Sequence, residues 1–358
     1  MNLPSNKGYS LKKFKSALII GGGAFGTSIA CVLSQRFEKV LILVRSKDVF
    51  ESLLSGENSL YLHGMKLPTN IVPVMTWEDV KKNTYQEIQI IISGLPSHAI
   101  RSFHTLHKIN VEYYLEKKVP YVCLSKGIDA ESLFLPDDMY SEIFPDHTNL
   151  FTYLSGPSFA KEIVEKQITC VSLAGKSRET LLDVTQMMTT SYFKIFPTYD
   201  IKGVLLGGAL KNVLAIAGGI VEGLGFNHNT RAAMITRGIE EMLRFGKVFN
   251  AREETFYGYS GMGDLILTTT GELSRNKNFG LQIAQGKKAE TIIESQRTVV
   301  EGYKTTLAAF KLAKRFDLSV RLFDGVYYIL YEHLSPYKVL EELMKAPVKF
   351  GDKYLTIS

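Results

Sequence analysis

The sequence has few cysteines, and their spacing excludes a disulfide framework or a structural zinc site. Cys-x-x-Cys and Cys/His spacings are missing among the three cysteines, which lie far apart in apolar segments: Cys31, Cys123 and Cys170. This pattern indicates a reduced compartment, by default the cytoplasm, and no bound metal. Three histidines also lack a suitably spaced carboxylate or cysteine and are interpreted as exposed residues of an amphipathic helix: His98, His104 and His107.

The chain of 358 residues also lacks a strong charge of one sign. Lysine and arginine number 42 against 36 aspartates and glutamates, a net charge of +6. The lysine pairs at 12–13, 81–82 and 287–288 are scattered and are not interleaved with aromatic residues. No nucleic-acid interface is therefore predicted, and the small excess by itself selects no class of partner.

Targeting signals and membrane spans are also missing. The basic N-terminal segment has no small-residue cleavage site of the secretory type, and we assign it no role. One apolar run, residues 204–226, approaches the length of a membrane span, but it contains Lys211, Asn212 and Glu222. Charges near the centre of a span are costly, so we interpret this run as a buried helix of a soluble protein.

The strand-like segments that are present all precede residue 200. Runs rich in Val, Ile and Leu alternate with helix-like stretches, at 17–20, 40–44, 88–92, 121–124, 151–154, 168–174 and 193–196. Such runs are typical of a largely parallel sheet covered on both faces. From about Val204 only helical spacing recurs. We predict an α/β Rossmann-type domain over residues 1–200 and an all-α domain over 201–358.

The first strand runs directly into a glycine-rich turn. Gly21, Gly23 and Gly26 fit the G-x-G-x-x-G pattern, which allows a tight turn, room for a pyrophosphate and close packing of helix on strand. The following helix N-terminus would offer free N–H groups to phosphates. A glycine-rich turn without a ligand is the alternative. The position after the first strand and before a helix favours a dinucleotide site.

The end of the second strand bears on the choice of cofactor. NAD-specific folds place an acidic residue there, to bind the ribose 2′-hydroxyl. This chain has Arg45 and Ser46 instead, and the first acid, Asp48, follows slightly late. These residues suit a 2′-phosphate, so NADPH is favoured over NADH, unless Arg45 is only a solvated loop residue.

Polar residues in the helical half could serve chemistry, although each has a plain structural alternative. Lys211 lies in the most apolar helix and could be a proton donor with a lowered pKa, or a lysine that reaches solvent at a helix end. Asp264 could act in catalysis or cap a helix, with Thr268 on the same face. Residues 274–276, Ser-Arg-Asn at a predicted helix start, could bind phosphate or form a surface turn.

Nine motifs taken together resemble those of the NAD(P)-dependent glycerol-3-phosphate dehydrogenase family, bacterial type, over nearly the whole chain. In order they are GGGAFGTSIA (21–30), LPSH (95–98), SKGID (125–129), SGPSFAKEI (155–163), LGGALKNVLAIAGG (206–219), TRAAMITRG (230–238), SGMGDLILT (260–268), SRNKNFG (274–280) and VVEGY (299–303). The glycine loop departs from the common pattern at Gly22 and Ala24, outside the three required glycines. The helical half is similar to that of 6-phosphogluconate dehydrogenase.

The resemblance implies reduction of dihydroxyacetone phosphate to sn-glycerol 3-phosphate with NADPH or NADH, which supplies glycerophospholipid synthesis. It also implies a homodimer formed through the helical domain. In catalysis it implies Lys211 as proton donor or acceptor, assisted by Asp264 and Lys126. The cofactor contacts that it implies are Gly21, Gly23, Ala24, Phe25, Gly26, Arg45, Lys126, Ala160, Arg275, Val299 and Glu301. The substrate contacts that it implies are Lys126, Gly156, Ser158, Lys211, Asn212, Asp264, Ser274, Arg275 and Asn276.

Two other readings stay open. β-Hydroxyacid and 6-phosphogluconate-type dehydrogenases have a similar architecture, but they place an asparagine one helical turn after the lysine. Here that position is Ala215, and the asparagine is adjacent at Asn212. A non-catalytic NADPH sensor would keep the glycines and would be expected to lose Lys211, Asp264 or Arg275, all of which are present.

Overall fold

An eight-stranded sheet forms the centre of the N-terminal half. The computed structural model describes residues 13–84, 87–295 and 300–345, and the backbone of 348–350 and 353–355. The strands are β1 (Phe14–Ile20), β2 (Phe37–Leu43), β3 (Glu57–Asn58), β4 (Leu62–Lys66), β5 (Ile71–Val74), β6 (Ile88–Ser93), β7 (Tyr121–Cys123), β8 (Phe151–Ser155), β9 (Thr169–Gly175), β10 (Phe193–Thr198), β11 (Val348–Phe350) and β12 (Lys353–Leu355).

The strand order in the large sheet is β10-β9-β8-β7-β6-β1-β2-β5. All neighbouring pairs are parallel except β8 and β9, so β9 and β10 run against the other six strands. The chain leaves β1 toward β2 on one side and later adds β6 on the other side. Ligands of open α/β sheets bind at the carboxyl ends of the strands where the strand order reverses in this way.

Seven strands match the predicted apolar runs, and the Rossmann-type fold class is confirmed. Sequence reasoning missed β5, which is a short edge strand that contains Pro73, a residue that cannot donate to a ladder. It also missed the small β3–β4 hairpin and the antiparallel pair β11–β12, so the C-terminal half is helical but not free of strands.

The helices cover the sheet and then form a layer of their own. They are α1 (Ala24–Leu33), α2 (Lys47–Leu54), α3 (Trp77–Thr84), α4 (Ile100–Leu106), α5 (Lys108–Glu116), α6 (Pro136–Ile143), α7 (Ala160–Val164), α8 (Arg178–Met188), α9 (Ile201–Gly223), α10 (His228–Val248), α11 (Glu253–Tyr257), α12 (Asp264–Thr270), α13 (Arg275–Ala284), α14 (Ala289–Ser295), α15 (Glu301–Arg315), α16 (Arg321–Tyr331) and α17 (Pro336–Met344). The proposed division at residue 200 falls between β10 and α9.

Helix α9 is the core of the helical layer. Among the described residues it is the one helix long and apolar enough to span a membrane. Its most apolar stretch of 18 residues is completely buried inside the protein. Its glycines allow backbone contact with its neighbours, since a Cβ at Gly219 would collide with the carbonyl oxygen of Lys277. A Cβ at Gly280 would likewise collide with the carbonyl oxygen of Ile216. This close crossing of α9 and α13 brings the polar residues of the two helices together.

The prediction of exposed histidines was wrong for His104. Its ring is fully buried, and its two nitrogens contact the carbonyl oxygen of Ile100 and the hydroxyl of Tyr121. Burial lowers the pKa of His104 to about 4, so the imidazole is neutral. His98 is exposed and His107 is half-buried. Within the described ranges, no group of three or more His, Cys, Asp or Glu side chains could hold a metal ion.

Candidate active site

The loops that follow four neighbouring parallel strands meet at one edge of the sheet. The glycine turn follows β1, the segment with Ser97 follows β6, Lys126 follows β7, and Gly156 follows β8. The carboxyl ends of parallel strands share an edge, so the topology alone brings these loops side by side. Helices α9, α12, α13 and α15 add their polar residues from the other side.

The three glycines of the turn have different surroundings. Gly21 has a φ of +102°, which a residue with a side chain rarely adopts, and a Cβ at Gly26 would collide with the carbonyl oxygen of Gly21. A Cβ at Gly23 would meet no atom of the described residues within 4 Å, and its φ of −73° is ordinary. The fold therefore needs Gly21 and Gly26, whereas Gly23 keeps open a space that none of the described residues fills.

This open space lies at the N-terminus of α1, which begins with Ala24 and Phe25. No side chain caps this end of the helix, and no acidic residue occupies its first turn. Free N–H groups and a positive helix end attract phosphate groups. The surroundings of Gly23 thus fit the pyrophosphate of a dinucleotide, the group that the sequence motif predicts.

Arg45 lies beyond the carboxyl end of β2, on the other side of β1 from the loops that follow β6, β7 and β8. Its side chain is exposed, and the following residue, Ser46, caps α2 by accepting a hydrogen bond from the N–H of Val49. An exposed guanidinium at this corner is free to meet an anionic group. The assignment of a 2′-phosphate to Arg45 stays a prediction.

Two lysines share one aspartate at the centre of the site. Lys211 Nζ lies 2.6 Å from Asp264 Oδ1, and Lys126 Nζ lies 2.8 Å from Asp264 Oδ2. Lys211 also donates to Thr268 Oγ1 at 2.8 Å, and Lys126 to the carbonyl oxygen of Gly156 at 3.1 Å. We call Lys126, Lys211, Asp264 and Thr268 the lysine–aspartate cluster. Asp264 begins α12, but its carboxylate binds these lysines and makes no capping bond.

Burial and charge set the protonation of this cluster. Burial lowers the pKa of Lys211 to about 8; Asp264 opposes this shift, and the charge of Lys126 adds to it. Burial raises the pKa of Asp264, but the two lysines outweigh this effect, so its net pKa lies below the usual value. Asp264 is therefore ionised near neutral pH, and Lys211 is close to the point at which it can gain or lose a proton. Lys211 lies in the middle of α9, with its side chain only 8% exposed, so it does not reach solvent at a helix end.

A chain of amide groups connects this cluster to α13. Asn212 donates to the carbonyl oxygen of Lys126 at 3.1 Å, and its own oxygen accepts from Asn276 at 2.9 Å. Asn276 Oδ1 in turn accepts from the backbone N–H of Gly302 at 3.0 Å. The polar groups of α9, α13 and α15 therefore hold each other in place, and both predicted asparagines lie in this network.

Glu301 binds Ser97, a residue to which no role was assigned from the sequence. Its carboxylate accepts from the Ser97 N–H at 3.1 Å and from the Ser97 hydroxyl at 2.7 Å. Thr268, for which no contact was predicted but which binds Lys211, was noted in the sequence only as sharing a helix face with Asp264. Ser97 lies in the LPSH motif. The motif was the one available signal for Ser97, because its partner is 204 residues away in the chain. Val299 lies outside the described residues.

The other predicted contacts lie in the loop after β8 and at the starts of α7 and α13. Gly156 packs closely, since a Cβ there would lie 2.9 Å from Val171 Cα, and Ser158 Oγ donates to the carbonyl oxygen of Gly156. Ala160 begins the short helix α7. Ser274 caps α13 by accepting from the N–H of Lys277, and Arg275 is exposed in the first turn of that helix.

The fold and the site together define a class of protein. A glycine loop that suits a dinucleotide and a buried lysine with a lowered pKa, Lys211, occur in one protein, as in an oxidoreductase that uses a nicotinamide dinucleotide. Residues 16–181 match the NAD-dependent glycerol-3-phosphate dehydrogenase N-terminus model, and residues 200–341 match the corresponding C-terminus model. The chain belongs to the NAD(P)-dependent glycerol-3-phosphate dehydrogenase family, and the resemblance seen in the sequence is confirmed.

Individual relatives agree with this assignment over most of the chain. This chain is 38% identical over 333 residues to glycerol-3-phosphate dehydrogenase [NAD(P)+] of Citrifermentans bemidjiense, and the match covers 92% of this chain and 97% of that protein. It is 39% identical over 334 residues to the protein of the same name in Leptospira biflexa, covering 92% and 98%. The crystal structure of glycerol-3-phosphate dehydrogenase from Coxiella burnetii superposes with a TM-score of 0.84 at 30% identity, covering 93% and 99%.

Proposed function

We propose that this chain reduces dihydroxyacetone phosphate to sn-glycerol 3-phosphate, reversibly, at the lysine–aspartate cluster. The observation that carries the proposal is the pair of contacts that Asp264 makes with Lys211 and Lys126, where Lys126 Nζ also lies 5.4 Å from the ring centre of Phe25 at the start of α1. A nicotinamide dinucleotide, when bound, supplies or accepts the hydride. The open space at Gly23 and the uncapped start of α1 would hold its pyrophosphate.

The residues of the cluster would divide the proton chemistry between them. As negative charge develops on the C2 oxygen of the substrate, Lys211 would donate its proton to that oxygen, and in the reverse direction it would accept the proton from the alcohol. Asp264 Oδ1 and Thr268 Oγ1 both accept hydrogen bonds from the ammonium group and hold it in place. Lys126 would stabilise the developing charge.

Substrate binding would use the charges around the cluster. With all three groups ionised, two lysines and one aspartate leave one positive charge, which suits an anionic substrate. Ser274, Arg275 and Asn276 stand at the start of α13, where a helix N-terminus and a guanidinium together favour a phosphate. We propose that they hold the substrate phosphate, while Asn212 keeps Asn276 and the Lys126 backbone in place.

The preference for NADPH, through Arg45, is part of the same proposal. A homodimer and a cytoplasmic location also stay predictions that the resemblance implies. The defining experiment follows the loss of reduced-nicotinamide absorbance after addition of dihydroxyacetone phosphate, with NADPH and NADH in parallel. We expect rapid oxidation that Lys211→Ala abolishes. If the protein binds NADPH but oxidises neither cofactor, the assignment of the reaction is wrong.

A further inference from the structure

A buried asparagine outside the large sheet contacts the glycine loop. Asn58 lies in β3 of the small β3–β4 hairpin, and its side chain is fully buried. Its Nδ2 lies 2.9 Å from the carbonyl oxygen of Gly22 and 2.8 Å from Thr27 Oγ1. A carbonyl oxygen only accepts hydrogen bonds, so the amide must present its NH₂ group to the loop.

The contact with Gly22 determines the direction of the next N–H group. In a trans peptide the C=O of one residue and the N–H of the next lie in one plane and point in opposite directions. With the Gly22 oxygen directed at Asn58, the N–H of Gly23 points away from Asn58. Gly23 is also the residue whose surroundings are open, with no atom from the described part of the chain within 4 Å of an added Cβ.

Thr27 connects the same amide to the helix that follows. Thr27 is buried in the first turn of α1, and its N–H donates to the carbonyl oxygen of Gly23. Asn58 therefore contacts the loop before Gly23 and the helix after it. Asn58 Oδ1 is buried and has no hydrogen-bond partner among the described residues. An unpartnered buried acceptor costs stability, so the side chain is better suited to orienting the loop than to stabilising the fold.

We infer that Asn58 is a positioning residue for cofactor binding: it orients the Gly22–Gly23 peptide so that the Gly23 N–H faces the pyrophosphate. This inference rests on the proposed function only in that a dinucleotide occupies the glycine loop; it does not depend on the substrate. Asn58 acts through the glycine loop and is not proposed to contact the nicotinamide or the substrate.

The test measures cofactor affinity directly. We expect Asn58→Ala to weaken NADPH binding about 10- to 100-fold, which is the usual contribution of a hydrogen bond to a charged group. Fluorescence titration measures this affinity. At saturating NADPH, kcat and the KM for dihydroxyacetone phosphate should change little. The loss should also appear with 2′-phosphoadenosine diphosphate ribose, which has the pyrophosphate, but not with adenosine 2′-monophosphate, which lacks it.

Asn70 offers a matched control. Its Nδ2 also donates to two groups, the carbonyl oxygens of Ser34 and Phe37, both at 3.0 Å, and it lies in the same domain away from the glycine loop. Asn70→Ala should leave NADPH affinity unchanged. Wild-type affinity in folded Asn58→Ala, or an equal loss in Asn70→Ala, would overturn the inference. If Asn58→Ala does not fold, the same NADPH titrations are made with Asn58→Ser, which leaves a smaller cavity, and the same outcomes decide. If the two variants show the expected NADPH affinities but the wild-type protein does not oxidise NADPH in the presence of dihydroxyacetone phosphate, only the proposed reaction is contradicted.

Discussion

The two sides of the active site are built in different ways. On the sheet side, backbone groups and the lack of side chains form the glycine loop, and residues 21–26 are consecutive in the chain. On the helical side, the charged side chains of Lys211 and Asp264 meet Lys126, which comes from a loop of the sheet 138 residues before Asp264 and completes the lysine–aspartate cluster. The first side depends on local conformation and the second on tertiary packing. Mutations should therefore affect cofactor binding on one side and proton transfer on the other.

The largest effect should come from removing the proposed proton donor. Lys211→Ala is expected to lower kcat for reduction of dihydroxyacetone phosphate by about 10²- to 10⁴-fold, the usual contribution of a general acid, while NADPH affinity is unchanged. Steady-state kinetics and a binding titration measure the two quantities. Lys202→Ala is a suitable control, because Lys202 lies on the same helix but pairs with Asp137 and Asp138. Near-normal turnover of Lys211→Ala would exclude Lys211 from the mechanism.

Removal of the shared carboxylate should affect both chemistry and stability. Asp264→Asn leaves two lysine charges without their anion, and breaking a buried pair typically costs about 3–5 kcal/mol of unfolding free energy. The pKa of Lys211 should fall further, because Asp264 is the group that raises it. The pH at which reduction declines should therefore move downward. Urea denaturation and a pH–rate profile measure these effects, and an unchanged profile would contradict the proposed role of Asp264.

Two variants of the glycine loop should separate effects on ligand binding from effects on folding. Gly23→Ala places a methyl group in open space, so we expect an unchanged melting temperature and NADPH binding weakened about 10- to 100-fold, as for a lost hydrogen bond to a charged group. Gly26→Ala collides with the Gly21 carbonyl oxygen and should destabilise the protein by about 1–3 kcal/mol. Thermal denaturation with and without NADPH distinguishes the two. Equal loss of stability in both variants would contradict the contrast.

The pH dependence should have opposite signs in the two directions of the reaction. Reduction needs the protonated form of Lys211, whose pKa is about 8, so its rate should fall about tenfold per pH unit well above that pH. Oxidation of glycerol 3-phosphate needs the unprotonated form and should become faster as the pH rises through the same range. Initial rates in both directions at saturating cofactor measure this. Parallel profiles in the two directions would argue against a single lysine in both roles.

The smallest effect should concern cofactor choice. Arg45 is exposed, so Arg45→Ala should leave the fold intact and lower the preference for NADPH over NADH by about tenfold or less, as expected for one lost contact with phosphate. The ratio of kcat/KM for the two cofactors is the measurement. Lys47→Ala, an exposed neighbour on α2, provides a control. An unchanged ratio in Arg45→Ala would show that other groups select the cofactor.

The features that could be predicted from the sequence are the local ones. The seven apolar strands, the glycine loop and the start of α13 at Ser274 each depend on a few consecutive residues. The helix that carries Lys211 was also evident from its apolar run, although the helix begins at Ile201, before the start of that run at residue 204. The family resemblance supplied the pairing of Lys211 with Asp264, for which spacing alone left plain alternatives.

Features that depend on tertiary contacts could not be predicted. Whether His104 is exposed or buried depends on Tyr121 from another element. The contact between Ser97 and Glu301 joins distant segments, and Asn58 reaches the glycine loop from a hairpin with no apolar pattern. Side-chain hydrogen bonds between remote segments leave no periodic signal in a sequence. These contacts nevertheless determine where the catalytic and cofactor-binding groups point.

The central position of α9 has a consequence for biosynthesis. This helix leaves the ribosome before α13, which packs on its glycines and is complete about 60 residues later, roughly 3–12 s at ordinary rates of translation. During that interval its apolar surface lacks its covering helices, and its length and composition match those of a membrane span. The nascent chain therefore has a period in which chaperone binding competes with aggregation, and Lys211, a costly residue in lipid, opposes insertion into a membrane.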